Sequence, residues 1–413
     1  MLLSRVQTIC ISFVVLVLSL FVFSSCDKDD DNDNKGTKRF SRTVLLYMVA
    51  ENSLNDWASA DINEALSGVG CLSDDDALII FIDDEKLPRI YEVNSKTKVS
   101  DFSRLEPVYE FDADFNSASA ESLREVLVYM NKKYPSNSSG IIFWSHASGW
   151  IPSNDLFSRA SLRRSFGIDN GNNSFSNRGH EMNMSDMANV LEEFDRFEFL
   201  LFDACFMQCI ESAYELRNCT NYVIASPAEI PGPGANYGSS LLKSVFANNV
   251  NASAIVDAYY NHYENSRDYG VVLSAIDCRE MDEFAMLMSD VMTKYSDEIL
   301  DADFENVQKY FNYDDWSRLS EFPDYYDIRG VMQSVLTSEE YSEWNEAFMK
   351  LVPYAKSTSR WYSSYFNGYL PVDKEQFGGV SMFVPLRKYA NETFYSYFFT
   401  TDWAKTVGFA FSE

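Results

Sequence analysis

Short apolar runs that alternate with helical patterning constrain this chain more than any other feature. The runs cover residues 43–49, 77–82, 141–144, 199–202 and 222–225. Each is short enough for a buried strand and lacks the alternation of a half-exposed one. Between them lie stretches with helical spacing. Leu54, Trp57, Ala58, Ile62 and Ala65 share a face in 52–66, and Leu123, Val126, Leu127 and Met130 share one in 119–133. A further helix is expected over 185–194. Strands alternating with helices predict an α/β fold: a mostly parallel central sheet covered by helices on both faces.

In such sheets reactive groups gather where strands end. The run 199–202 ends in Asp203-Ala204-Cys205, and the run 141–144 ends just before His146. Asp203 and Cys205 are two apart, so as strand residues they project the same way. The chain has only 3 histidines, His146, His180 and His262, and one of them falls at a strand end. A cysteine and a histidine ending two strands of one sheet form a candidate catalytic dyad. The plainer alternative is that Cys205 is a small buried hydrophobe.

Ser145-His146-Ala147-Ser148-Gly149-Trp150, followed by Phe202-Asp203-Ala204-Cys205-Phe206-Met207 and Glu211, resembles the clostripain family of cysteine peptidases, and more widely the caspase-like folds. Residues 43–52, 225–237 and 379–385, with Trp403, agree with it, so the resemblance runs from about Arg42 to the C-terminus. It implies a cysteine endopeptidase with Cys205 as nucleophile and His146 as acid and base. It implies an oxyanion held by the backbone N–H groups of Cys205 and Ala147, the latter at a position where the family usually has glycine. Asp203 would lie under the pocket for the residue before the scissile bond and select Arg or Lys, with Ser226 lining the same pocket. Without the resemblance, Asp203 reads as a helix cap. Relatives cleave themselves between the two motifs after a basic residue, which makes Arg159, Arg163 and Arg164 in the polar stretch 151–179 the processing candidates. That stretch otherwise reads as a solvated basic loop. The sequence indicates no cofactor or metal, and calcium enters only through the resemblance.

The first residues read as an export signal. Arg5 precedes an apolar run over 9–23, which stops at Ser24-Ser25-Cys26. This resembles a bacterial lipoprotein signal, residues 1–25, with Cys26 as the lipid-bearing terminus. A simple signal peptide and an uncleaved anchor are the alternatives. An acidic tether follows over 26–41, which resembles a signal for surface display on a Gram-negative outer membrane. The formal charge of −28 excludes nucleic acid as a partner, because little would neutralise phosphates. Peptides with basic residues fit better. A monomer is expected. Five cysteines follow Cys26, and an odd number leaves at least one thiol outside any disulfide.

The expected peptidase core spans 42–300. Within it, Asp83-Asp84 reads as a solvated strand end, the segment to 111 as irregular, 251–263 as helix, 269–276 as strand, and 281–295 as a methionine-rich core helix. Residues 301–413 read as a mostly helical part packed on the core, with a returning strand at 377–385 and a closing helix over 394–409. Its many aromatic residues leave a rival reading open, a sugar-binding aromatic platform. That reading, or a catalytically silent protein-binding relative, is the alternative to the peptidase.

Overall fold

The computed structural model describes residues 38–152, 165–172, 174, 177–311, 324–364 and 366–409. The first strand, β1 (Arg42–Val49), is buried along its whole length. It pairs in parallel with β2 (Asp76–Asp83) on one side. Two antiparallel strands, β3 (Arg89–Val93) and β4 (Tyr109–Glu110), extend that edge. On its other side β1 pairs in parallel with β5 (Ser139–Trp144). A small antiparallel ribbon of β6 (Phe166–Asp169) and β7 (His180–Met182) follows. The sheet then continues through β8 (Phe197–Asp203), β9 (Thr220–Ala225) and the antiparallel β10 (Val272–Asp277). After β11 (Lys309–Phe311) and β12 (Tyr325–Asp327), β13 (Tyr354–Ser357) closes the far edge against β10. The order across the sheet is β13-β10-β9-β8-β5-β1-β2-β3-β4. The hairpin β14 (Arg360–Ser363) and β15 (Gly368–Pro371) and the short β16 (Ser381–Met382), which joins β12, complete the strands among the described residues.

The parallel centre is apolar on both faces because both are covered. Leu45, Tyr47 and Val49 of β1 enter one core, and Val44, Leu46 and Met48 enter the other. The first core is covered by α2 (Ala120–Lys133), α3 (Met184–Leu191), α4 (Ile210–Glu215) and α7 (Met281–Asp301), the second by α1 (Asn55–Gly68), α5 (Ser239–Val245) and α6 (Ala252–Tyr263). The Ser119 side chain caps α2 by accepting the Ser122 N–H, one of the donors a helix start leaves over.

Several expectations need correction. Asp83 and Asp84 are buried, not solvated. Ser117 Oγ donates to Asp83, and the Arg89 guanidinium clasps Asp84 with two bonds of 2.8 Å. The irregular segment before 111 contains β3 and β4, and the polar stretch 151–179 contains β6. The chain after 301 carries the expected helices, and strands run among them. Arg39–Glu413 forms one compact unit, and β13 is a strand of the main sheet. Helices α8 (Ile328–Val335) and α9 (Ser338–Leu351) are joined there by six strands. The returning strand shrinks to β16, and the closing helix is two, α10 (Thr393–Phe398) and α11 (Asp402–Val407). Most of the aromatic residues that the rival platform reading would expose are core: Phe304, Tyr310, Phe311, Tyr325, Tyr326, Trp344 and Trp361 are buried. Tyr313 and Trp316 lie outside the described residues.

Candidate active site

Strand β8 stops at Asp203, and the chain turns sharply through Ala204-Cys205-Phe206. Phe206 adopts φ +62°, a left-handed conformation that costs a residue with a side chain about 1–2 kcal/mol. Its ring is held in compensation, stacked on Tyr325 and edge-on to Phe311. Its N–H donates to Ala228 O at 3.1 Å, and Gln208 N–H donates to Ser226 O at 3.0 Å, so the turn is tied to the segment after β9. The sulfur of Cys205 stands at the top of this turn, half-buried, and accepts the Ile230 N–H at 3.4 Å. The other cysteine nearby is different. Cys209 is fully buried, donates to Ser212 Oγ at 3.1 Å, and has its thiol pushed up to about 12 by burial. Among the described residues no disulfide forms, and Cys71, Cys205, Cys209, Cys219 and Cys278 are all thiols.

Strand β5 is the immediate neighbour of β8, with Trp144 opposite Asp203. His146, two residues beyond Trp144, therefore opens on the same edge as Cys205. An isolated bridge fixes the loop. Gly167 N–H donates to His146 O at 2.9 Å, and Ser148 N–H donates to Ser165 O at 3.1 Å. These bonds use the groups flanking Ala147, not its own N–H. Among the described residues the non-glycines with positive φ are Phe206 and Asn367, so Ala147 sits where an alanine backbone is at ease. Ser53, in the loop after β1, lies 2.8 Å by its Oγ from His146 Nε2. Asn52 shapes that loop, donating from its side chain to Val49 O and Ile168 O and accepting the Leu54 N–H.

Cys205, His146, Ala147, Asp203 and Ser53 line one cleft of about 590 Å³, together with Trp144, Glu229–Gly232 and Gly234. Asp203 is at its buried base and caps no helix. Its carboxylate accepts the Ala235 N–H (2.9 Å), the Tyr237 hydroxyl (2.7 Å) and the Tyr259 hydroxyl (2.6 Å). Burial raises its pKa, and the three donors pull it back. Gly234 closes over it at φ +59°, where a Cβ would stand 2.5 Å from Asp203 Oδ2. Beside it Asp61 accepts the Trp144 indole N–H at 2.7 Å. Burial, reinforced by the Asp203 charge, pushes Asp61 up to about 9.

Ser226 does not join this wall. Its hydroxyl is spent on its own turn, donating to Ala228 O and accepting the Ala228 N–H. His180 and His262 are absent from the cleft lining. Cys26, Arg159, Arg163 and Arg164 lie outside the described residues. Ser53, Tyr259 and Asp61 are the residues at the site that sequence reasoning missed. Ser53 and Asp61 belong to a loop and a helix with nothing unusual in their spacing, and Tyr259 reads as one more core position of α6 (Ala252–Tyr263).

A thiol and an imidazole on adjacent parallel strand ends, above a buried acidic pocket, define a caspase-like α/β protein of the cysteine-peptidase class. The clostripain-family model matches residues 46–409, and the chain belongs to that family. The clostripain of Hathewaya histolytica is 25% identical over 230 residues, 50% of this chain and 42% of that protein, so the chain spans less than half of that relative's length. An inactive zymogen C11 protease from Parabacteroides distasonis has the same fold, with TM-score 0.75 and 24% identity over 90% of this chain and 99% of that one. A secreted C11 cysteine protease from Bacteroides thetaiotaomicron, solved with an irreversible peptide inhibitor, matches with TM-score 0.73 and 27% identity over 90% of this chain and 100% of that one.

Proposed function

We propose that this chain is an exported cysteine endopeptidase that cleaves after arginine or lysine. The observation that carries the reading is the buried Asp203 carboxylate at the base of the cleft that Cys205 and His146 share. The Cys205 thiolate attacks the scissile carbonyl carbon. The oxygen takes up the electron pair, facing the N–H groups of Cys205 and Ala147. Collapse expels the amine, which takes a proton from His146 and leaves a thioester on Cys205. Water attacks the thioester as His146 takes its proton, and collapse releases the acid and the thiolate. A guanidinium entering the pocket adds a positive charge to the three neutral donors that Asp203 already has, and the pair favours the ionised carboxylate.

Lipid attachment at Cys26, display on an outer membrane, a monomeric state and self-cleavage at Arg159, Arg163 or Arg164 belong to the same reading. The secreted state of the Bacteroides relative and the signal-like start of the chain support export. Among the described residues no helix is long and apolar enough to cross a membrane. The test is hydrolysis of fluorogenic peptides ending in Arg, Lys, Asp or Leu by a chain starting near Lys38. Turnover of Arg and Lys peptides should vanish in Cys205→Ala. In Asp203→Asn, kcat/KM for them should fall on the order of a hundred-fold or more, the size expected when a buried ion pair loses one partner. Equal turnover of Leu and Arg peptides by the wild type would remove Asp203 from specificity. No turnover of any of them, before or after limited trypsin nicking, would favour the silent binding protein.

A further inference from the structure

The cleft extends beyond what a basic side chain over Asp203 requires. Tyr269, Tyr362 and Ser364 also line it, and they come from the far side of the sheet. Sheet order gives the cleft a direction. Ser53 follows β1, His146 follows β5, Cys205 follows β8 and Ile230 follows β9. Tyr269 precedes the antiparallel β10, and the β14–β15 hairpin follows β13, whose last residue pairs with the first of β10. All of them therefore open on one edge, in that order. In the proposed reaction His146 protonates the departing amine, so the leaving half of the substrate lies toward β5 and β1. The acyl half must lie the other way, toward β9, β10 and the hairpin.

The wall on that side is aromatic and fixed. Tyr362 and Tyr369 face each other across the hairpin, with rings edge to face at 5.4 Å, and the Arg360 guanidinium lies 4.0 Å over Tyr369. Tyr369 O–H donates to Asp268 O, which ties the hairpin to the Tyr269 loop. Tyr269, Tyr362 and Tyr369 are 41%, 38% and 39% exposed, although each is large and apolar enough to be buried. Single exposed aromatics are ordinary, but a group of them at the end of a cleft marks a binding surface. On the hairpin's other face Trp361 is fully buried beside Tyr310. The hairpin's end is latched to the catalytic floor. Ser364 donates its N–H (2.9 Å) and its Oγ (2.6 Å) to Glu229, the residue before Ile230, whose N–H reaches Cys205 Sγ.

We propose that Tyr362 and Tyr269 form a second specificity subsite, which takes an apolar or aromatic side chain one or two positions before the basic residue. The preferred substrate is then a polypeptide with a bulky apolar residue followed closely by Arg or Lys. This rests on the peptidase reading above.

The experiment measures kcat/KM for blocked fluorogenic tripeptides ending in Arg, with the first and middle residues each Gly, Leu, Phe or Asp. The enzymes are the wild type, Tyr362→Ala, Tyr362→Phe and the double variant with Tyr269→Ala. In the wild type, Leu or Phe at one position should exceed Gly by about ten-fold, as expected for a partly buried apolar side chain. That ratio should collapse in Tyr362→Ala and survive in Tyr362→Phe. Because a ratio is read, a general loss of activity in a variant does not mimic the result. Arg peptides cleaved with no preference at either position, or a preference intact in the double variant, would overturn the subsite alone. Failure to cleave any Arg peptide would overturn the peptidase reading and the subsite with it.

Discussion

Ser53 touches His146 at one atom, and that contact helps to fix the orientation of the imidazole. Its Oγ lies 2.8 Å from Nε2, within hydrogen-bond reach, so the hydroxyl holds the ring in place at the cleft. In the proposed reaction Ser53 is thus a positioning residue. Ser53→Ala should lower kcat about ten-fold with little change in KM, and should shift the limb of the pH–rate profile that belongs to the imidazole. Ser53→Thr, which keeps the hydroxyl, should restore both. A profile identical to wild type in Ser53→Ala would remove it from the mechanism. The placement of Cys205 and His146 at one edge of the sheet was legible in the sequence, because a reactive residue type at the end of an apolar run is a local signal. Ser53 was not, because it meets His146 across 93 residues of chain through the β1–β5 pairing. Ser226 misled for the opposite reason. Its position fits the pocket segment, but a local turn with Ala228 consumes its hydroxyl.

Among the elements, the short β6 decides how the His146 loop is held. Gly167 supplies the N–H that binds His146 O, and it does so at φ +76°, with a would-be Cβ 3.3 Å from Val49 Cγ1. A β-branched side chain fits neither that conformation nor that space. Gly167→Val should therefore cut kcat by roughly an order of magnitude or more while lowering Tm by only a few degrees, since the strain is local. Steady-state kinetics beside a thermal melt would check it, and a folded variant with wild-type kcat would show that β6 does not matter to the loop. This ribbon was unreadable in the sequence. It pairs four residues with three, with an irregular register, and such runs are too short to show alternation. The five central strands were readable because burial on both faces leaves an unbroken apolar run. Strands β3 and β4 escaped as short edge strands among polar residues.

At the scale of the whole molecule, buried carboxyls tie stability to pH. Burial is the first cause in each case, pushing Asp169 up to about 7, Asp83 and Glu211 to about 8 and Asp61 to about 9. Between the ordinary carboxyl range and these values the native state holds more protons than the unfolded one, so stability falls as pH rises through that window. The charge of −28 grows with pH and acts in the same direction. Asp84 and Asp324, held below the ordinary value despite burial by Arg89 and by Lys309 and Lys388, act oppositely and lose their contribution only in stronger acid. Tm should be higher near pH 6 than near pH 9, and the difference should shrink in Asp61→Asn, which keeps an acceptor for Trp144. A Tm that rises toward pH 9 would contradict these protonation states. The last third of the chain was the least legible part at this scale, because β13 finds its partner β10 only after a long excursion and its own residues are half-buried. The connection between β5 and β6 has a further consequence. His146 precedes residues 153–164 and Cys205 follows them, yet β5 and β8 are hydrogen-bonded neighbours deep in one sheet. A cut in that connection would leave two polypeptides, one carrying His146 and the other Cys205, so that in the proposed reaction the acid–base and the nucleophile would belong to separate chains and neither could react alone. They would migrate as two bands when denatured and as one particle when native, and halves made separately should regain activity only on mixing.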